Sequence, residues 1–265
     1  MLGAIIGDIV GSRWEFHRLK TKAFPLFSPL NGLTDDTILT IAVADALLNA
    51  RDPAEALRDW ARRVKPDRHV AGYGKKFILW VSAPTVQPPY GSLGNGGAMR
   101  VSPAAFLAST LAECLDNARR VTQITHNHPE GMRGALATAH AIFLALAGQN
   151  APTIRTAIAE TYGYDLSRDV EEIRLVHEYN ETALGCVPEA LTCALEATDY
   201  EDALRNAVSL GGDADTLAAI AGGLAEALFG IPDTIREAGL AYLPDSMKGV
   251  LADIDHRREA TGLAH

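Results

Sequence analysis

Two short segments, Thr34-Asp35-Asp36-Thr37 and Asp213-Ala214-Asp215-Thr216, each place two carboxylates and hydroxyls where an apolar helical pattern begins. Almost 180 residues separate them. Asp and Thr are ordinary helix caps, whose oxygens accept the orphan N–H groups of a first turn. A cap needs one carboxylate, however, and each of these helix starts carries two. If the two starts face each other, four carboxylates converge and repel unless a cation lies among them. Every ligand on offer is a hard oxygen, with no His or Cys, which suits Mg²⁺ or Mn²⁺ and disfavours Zn²⁺. One Mg²⁺ takes one or two carboxylates and keeps its waters, so this donor set has room for two metals. Gly211-Gly212, just before the second segment, lets the backbone approach something closely.

A second constellation is Gly91-Ser92-Leu93-Gly94-Asn95-Gly96-Gly97, followed by Ala-Met-Arg100. Clustered glycines free backbone N–H groups to form an anion-binding nest, and a helix starting after them adds its dipole. The spacing matches neither a GxxxxGK[ST] loop nor a GxGxxG after a strand, so a classical nucleotide fold is not indicated. In Thr125-His126-Asn127-His128-Pro129-Glu130, two histidines flank an asparagine in a loop and are candidates for ligand contact. No ββα zinc context accompanies the His-Asn-His string, which argues against a nuclease. His140 lies inside an apolar helix and reads as core. Glu15 closes the segment Gly7 to Glu15 and leads into a proline-containing loop, where a lone Glu is ordinarily a solvated surface residue.

The elements that must position these residues are helical. Residues 2–14 read as a helix with Gly3, Gly7 and Gly11 four apart on one face, a pattern for close helix packing. Residues 17–33 form a loop punctuated by Pro25, Pro29 and Gly32. Helices are expected over Thr37 to Ala50, over Ala54 to Val64 with Asp52 as cap, and over Pro103 to Ala112. Two more, Arg133 to Ala147 and Thr216 to Phe229, are apolar on nearly every side and so surrounded by others. The stretch 84–97 holds three prolines and four glycines and is neither helix nor central strand; loops this long are usually functional or mobile.

The chain has 265 residues, 48% hydrophobic and 22% charged, enough for one domain, expected to span 1–265. Alanine is in excess, at 43 residues, which moves the expectation to an all-α fold. A net charge of −9 repels phosphate backbones and anionic lipid, excluding a general nucleic-acid or membrane binder but not a compact phosphorylated ligand. Cys114, Cys186 and Cys193 are an odd number without CxxC spacing, read as buried thiols in a reducing compartment. The apolar start lacks a basic flank and is interrupted by Asp8, so it is not a signal peptide. The longest uncharged apolar stretch, Gly134 to Gly148, is too short to span a bilayer. A cytoplasmic monomer is expected.

Taken in order, GDIVGSRWE (7–15), TDDT (34–37), GNGGAMR (94–100), THNHPEG (125–131), VPEAL (187–191) and GGDADT (211–216) resemble the ADP-ribosylglycohydrolase family over some 210 residues. The resemblance implies an all-α orthogonal helix bundle with a binuclear Mg²⁺ site at one end. It implies Thr34, Asp35, Asp36, Asp213, Asp215 and Thr216 as metal ligands, a diphosphate cradle from Gly91 to Gly97, and substrate contact by His126. Glu15 becomes the mobile acidic residue near the metals, either general base or gate. Some relatives stack adenine on an aromatic just before the glycines, where this chain has Leu93. The implied reaction is hydrolysis of the bond between C1″ of ADP-ribose and an acceptor such as a protein side chain, with oxocarbenium character on the ribose. Two other classes stay open: a non-catalytic ADP-ribose binder, and a Mg²⁺-dependent phosphohydrolase of a nucleotide diphosphate.

Overall fold

The structure, a computed structural model, describes residues 1–67, 69–70 and 72–262, so the last three positions of the expected 1–265 unit lie outside it. Its described residues form fifteen helices and no strand. In order these are α1 (Leu2–Ser12), α2 (Asp35–Leu48), α3 (Pro53–Arg63), α4 (Lys75–Ser82), the short α5 (Gly96–Met99) and α6 (Ser102–Phe106), α7 (Leu111–Thr122) and α8 (Pro129–Leu146). After them come α9 (Ala151–Tyr162), α10 (Val170–Val176), α11 (Ala183–Leu195), α12 (Tyr200–Ser209), α13 (Ala214–Phe229), α14 (Asp233–Leu240) and α15 (Asp245–Thr261). None of them is long and apolar enough to cross a membrane. The all-α expectation holds, and the three cysteines are buried free thiols.

One boundary departs from the sequence reading. The helix expected over Pro103 to Ala112 is two helices, broken at Leu107–Thr110. Thr110 caps α7 by accepting from the N–H of Glu113, and the Glu113 carboxylate accepts from the N–H of Ser109. This pattern, Thr-x-x-Glu, is a capping signature that outweighs the helical propensity of the surrounding alanines.

The axis of the core is the pair α1 and α13. Every residue of α1 is buried, as is α13 from Ala214 to Ala225. The three α1 glycines each meet the α13 backbone, and Gly3 the Glu226 side chain as well. A methyl group at Gly3 would lie 2.4 Å from the carbonyl oxygen of Gly222, one at Gly7 2.0 Å from that of Ala218, and one at Gly11 2.3 Å from that of Ala214. As the α1 number rises by four the α13 number falls by four, so the helices run antiparallel with their backbones touching. Gly7→Ala should therefore cost about 3 kcal/mol or more, the upper end for overpacking, because no side chain is there to yield. Urea unfolding of the variant checks this, and a midpoint equal to wild type would show slack between the helices.

This register places the site. The C-terminal end of α1, from which the chain continues to Glu15, meets the N-terminal end of α13, which starts at Asp213 and Asp215. The same helix also fixes α2. Asp8, fully buried, accepts from the hydroxyls of Thr34 (2.7 Å) and Thr37 (2.5 Å) and from both of their backbone N–H groups. One carboxylate thereby ties the start of α2 to the helix that α13 packs upon.

Candidate functional site

A cleft of about 530 Å³ opens where these helix starts meet, lined by Glu15, Asp35, Asp36, Asp213, Asp215 and Thr216 at one end and by Ser92, Gly94, Asn95, Gly96 and His126 along one wall. A larger hollow of about 760 Å³, bordered by Phe106, Leu228, Ile254 and Arg258, gathers none of the acidic or glycine-rich segments.

The two acidic segments do face each other. Thr216 Oγ1 donates to Asp36 Oδ2 at 3.0 Å, joining helix starts 180 positions apart. The side chains of Asp36 and Asp213 do no capping, while Asp215 Oδ1 accepts from the N–H of Thr216 at the start of α13. At α2 the cap is Thr34, whose hydroxyl accepts from the N–H of Asp36, leaving Asp35 and Asp36 free of that task. After this bond and its donation to Asp8, the Thr34 oxygen keeps one lone pair, though the residue is fully buried and does not line the cleft. At α13, Asp213 occupies the cap position without making a side-chain cap bond, and accepts instead from Asn95 Nδ2 at 2.6 Å. Gly211 (φ +70°) and Gly212 (φ +90°) make the left-handed turn that delivers it, a conformation side-chain-bearing residues avoid.

Crowding shows in the protonation of these groups. Burial, followed by mutual repulsion, pushes Asp36 and Asp215 well above the usual carboxylate range. Burial chiefly, with the charge of Asp8 added, raises Asp35 to about 7, and burial raises Asp213 to about 6. Glu15, pushed up by burial and then by Asp215, reaches about 9. Carboxyl oxygens of Glu15, Asp213 and Asp215 lie within 4.8 Å of one another, close enough to share one ion. The second Glu15 oxygen, Oε2, is buried with no hydrogen-bond partner. An acidic cluster with an orphaned oxygen, set at the positive ends of two helices, is a fitting site for a hard cation.

Along the glycine-rich wall the nest is smaller than the sequence suggests. The N–H of Gly91 donates to Asn127 Oδ1, that of Ser92 to the Thr125 carbonyl, that of Gly94 to Ser92 Oγ and that of Asn95 to the Glu181 carbonyl. The N–H groups of Leu93, Gly96 and Gly97 remain. Gly91, Leu93 and Gly97 are off the cleft wall, and Leu93 is 43% exposed. His126 is buried on that wall, whereas His128, the other histidine expected to contact ligand, caps α8 by accepting from the N–H of Glu130 at Nδ1. His140 is core, as expected, facing the hydroxyl of Tyr162.

Several residues of the site escaped the sequence reading. Asp8 is one; a carboxylate inside an apolar, glycine-striped helix demands buried donors, and that demand was the available signal. Tyr179 and Glu181 are others. The phenol oxygen of Tyr179 lies 3.2 Å from Glu15 Oε1 and 2.7 Å from Glu181 Oε1, its one proton bridging the two carboxyls. The Phe16 ring stacks on that of Tyr179, so the Glu15 segment is held by both an aromatic and a polar contact. No local pattern marks them, because the segment 177–181 becomes part of the site only through tertiary folding. Tyr73, Phe77 and Tyr90 supply further aromatic lining.

Comparison with known proteins agrees with this geometry. The ADP-ribosylglycohydrolase family model matches residues 1–263. Among curated proteins, human ADP-ribosylhydrolase ARH3 is 27% identical over 91% of this chain and 88% of its own. The ADP-ribosyl-(dinitrogen reductase) glycohydrolase of Rhodospirillum rubrum is 28% identical over 88% and 85%. A solved structure described as an ADP-ribosylglycohydrolase-related protein complex superimposes with a TM-score of 0.71 at 26% identity, covering 97% of this chain and 96% of its own.

Proposed function

The chain belongs to the ADP-ribosylglycohydrolase family, and on that premise we propose that it hydrolyses the bond between ribose C1″ of ADP-ribose and an acceptor group, releasing ADP-ribose. The observation that carries this reading is the meeting of Glu15 with four aspartates at one end of a cleft whose wall is the glycine turn and His126. A glycosidic carbon at the acidic end and a diphosphate along the turn match the charge layout. The acidic end suits a group that becomes cationic, and the turn offers N–H donors to an anion.

We assign Asp35, Asp36, Asp213, Asp215 and Thr216, with the remaining lone pair of Thr34, to hold two Mg²⁺ ions. Bound there, Mg²⁺ would neutralise the carboxylates, fix ribose hydroxyls and lower the pKa of water. As the acceptor departs, the ribose gains oxocarbenium character, which surrounding carboxylates favour electrostatically. Glu15, with an unpartnered oxygen facing this end, would accept a proton from the attacking water in the metal-loaded protein, where cations among the aspartates displace the proton that burial and Asp215 otherwise hold on it. Tyr179 and Glu181 hold it in place. Adenine, lacking an aromatic at Leu93, has the rings of Tyr73, Phe77, Tyr90 and Tyr179 on offer in the cleft lining. Nothing beyond one ADP-ribosylated acceptor is needed as partner.

The deciding experiment incubates defined ADP-ribosylated acceptors with the protein and Mg²⁺, or with EDTA, and follows products by mass spectrometry. Free ADP-ribose, lost on chelation, is the expected result; AMP or phosphate would mean phosphoester cleavage, and no product would mean a binding protein. Glu15→Gln should lower turnover at least about 10²-fold while ADP-ribose affinity changes far less. Turnover within a few-fold of wild type would remove the proton-accepting role.

A further inference from the structure

His126 stands at the end of a buried polar chain that no part of the reaction above uses. Its imidazole lies edge-on to the glycine turn, so that a methyl group built at Gly96 would come within 3.0 Å of Nε2. The other nitrogen, Nδ1, is 2.8 Å from Thr125 Oγ1. Thr125 Oγ1 in turn receives Arg100 Nη2 at 2.7 Å. Both Thr125 and Arg100 are fully buried, Arg100 bordering the cleft and Thr125 set behind its wall.

The direction of this chain follows from donor and acceptor capacity. A guanidinium has five N–H donors and no acceptor, so at Thr125 it can only donate. A hydroxyl has one proton and two lone pairs. With Arg100 on one lone pair, Nδ1–H could donate to the other only if the Thr125 proton turned to a different acceptor, for which the Tyr90 phenol stands beside it; turned to Nδ1 instead, that proton makes Nδ1 the unprotonated nitrogen. A neutral imidazole carries its single proton on the other nitrogen. We propose that Arg100 and Thr125 lock His126 as the Nε2–H tautomer, so that it presents an uncharged hydrogen-bond donor to diphosphate oxygens seated over the Gly94–Gly97 turn. Arg100 and Thr125 are positioning residues here, since the proposal has them act on the ligand through the His126 ring. The donor role rests on the reading that ADP-ribose occupies this cleft; the tautomer lock does not.

Two features support the assignment. Among the described residues Nε2 has no hydrogen-bond partner, so the donor is available to a ligand. Burial and the nearby Arg100 charge also push the His126 pKa well below the ordinary histidine value, keeping the ring neutral. Tyr90, whose phenol borders the same Thr125 hydroxyl, is the one neighbour able to compete for its proton.

The test is ¹⁵N NMR of the imidazole in the full-length protein, with ADP-ribose affinity measured by calorimetry on the same samples. Wild type and Tyr90→Phe should show a ring locked with its proton on Nε2. Thr125→Val should release it into a mixture of tautomers, weaken ADP-ribose at least about tenfold, as loss of a bond to a charged group implies, and raise KM for an ADP-ribosylated acceptor with a smaller change in kcat. Thr125→Ser, which keeps the hydroxyl, should restore both readouts. A wild-type proton on Nδ1 overturns the proposal without any variant having to fold. So does a Thr125→Val protein with the wild-type tautomer and affinity. ADP-ribose that fails to bind wild type overturns the reading of the cleft and the donor role with it, whereas binding to an Nδ1–H ring overturns the lock and the donor role but leaves the reading of the cleft standing.

Discussion

Asp36→Asn and Asp213→Asn should each abolish Mg²⁺-linked stabilisation and turnover together, while leaving the metal-free protein as stable as wild type or slightly more so. Asn caps helices about as well as Asp, so a capping role would survive the change. Capping is not at stake here in any case, because Thr34 caps α2 and Asp213 makes no cap bond. In the absence of cation each substitution removes one carboxyl that otherwise must either repel its neighbours or be held protonated, which relieves the crowding. With Mg²⁺ at one hundred times its dissociation constant, wild type should gain roughly 2.7 kcal/mol, since the ion binds the folded state. The variants should lose most of that gain and at least about 10²-fold in ADP-ribose release. Thermal unfolding of each variant across a Mg²⁺ titration, beside the release assay, measures both. Variants that melt like wild type at every Mg²⁺ concentration and stay active would reduce the acidic pairs to structural decoration.

The second large effect is an inverted dependence of stability on pH. Most carboxylates stabilise a protein more as pH rises; these do the opposite when no cation is bound. Asp8 and Asp213 sit near 6, Asp35 near 7 and Glu15 near 9, all raised first by burial above unfolded values close to 4. Between pH 4 and those values the folded state holds protons that the unfolded state has lost, and stability falls as pH rises. The loss runs from about pH 4 to 7 for the aspartates and on to about 9 for Glu15, summing to on the order of 3 kcal/mol or more. Metal ligands bind as their deprotonated forms, so saturating Mg²⁺ should reverse the slope over the same range. Urea midpoints from pH 5 to 8 with EDTA, then with Mg²⁺, test this. A metal-free protein that grows more stable with pH across that window would mean the carboxylates are not crowded in solution.

How legible this was varies residue by residue. The glycine stripe at 3, 7 and 11 announced close packing, since spacing alone shows which face must be bare. The doubled aspartates at 35, 36, 213 and 215 announced more charge than two caps need, though only the fold brings the pairs together. Asp8 was used in the sequence merely to exclude a signal peptide, because its four donors come from residues 26 to 29 positions away. Tyr179 and Glu181 sit in a segment without periodicity, and their meeting with Glu15 spans more than 160 residues. The glycine nest was overread. Composition tells how many N–H groups a loop can offer, not how many Asn127, Thr125, Ser92 and Glu181 have already taken.

The backbone contact between α1 and α13 also sets a timetable for synthesis. Gly3 and Gly222 touch across more than 200 residues of sequence, and contacts that distant form late because loop closure precedes its reward. At ribosomal rates of about 5–20 residues per second, α1 waits roughly 10–40 s for its partner. Throughout that interval a largely apolar helix lacks the surface its glycines fit, and half of the acidic cluster does not yet exist. A cation held by both acidic pairs could therefore not guide the nascent chain; it would seal a fold that is otherwise finished. Ribosome-bound chains stalled before residue 214 should remain cleavable within α1 whatever the Mg²⁺ concentration, whereas chains stalled well beyond residue 229 should be protected. Early protection of α1 would mean that another helix shelters it first.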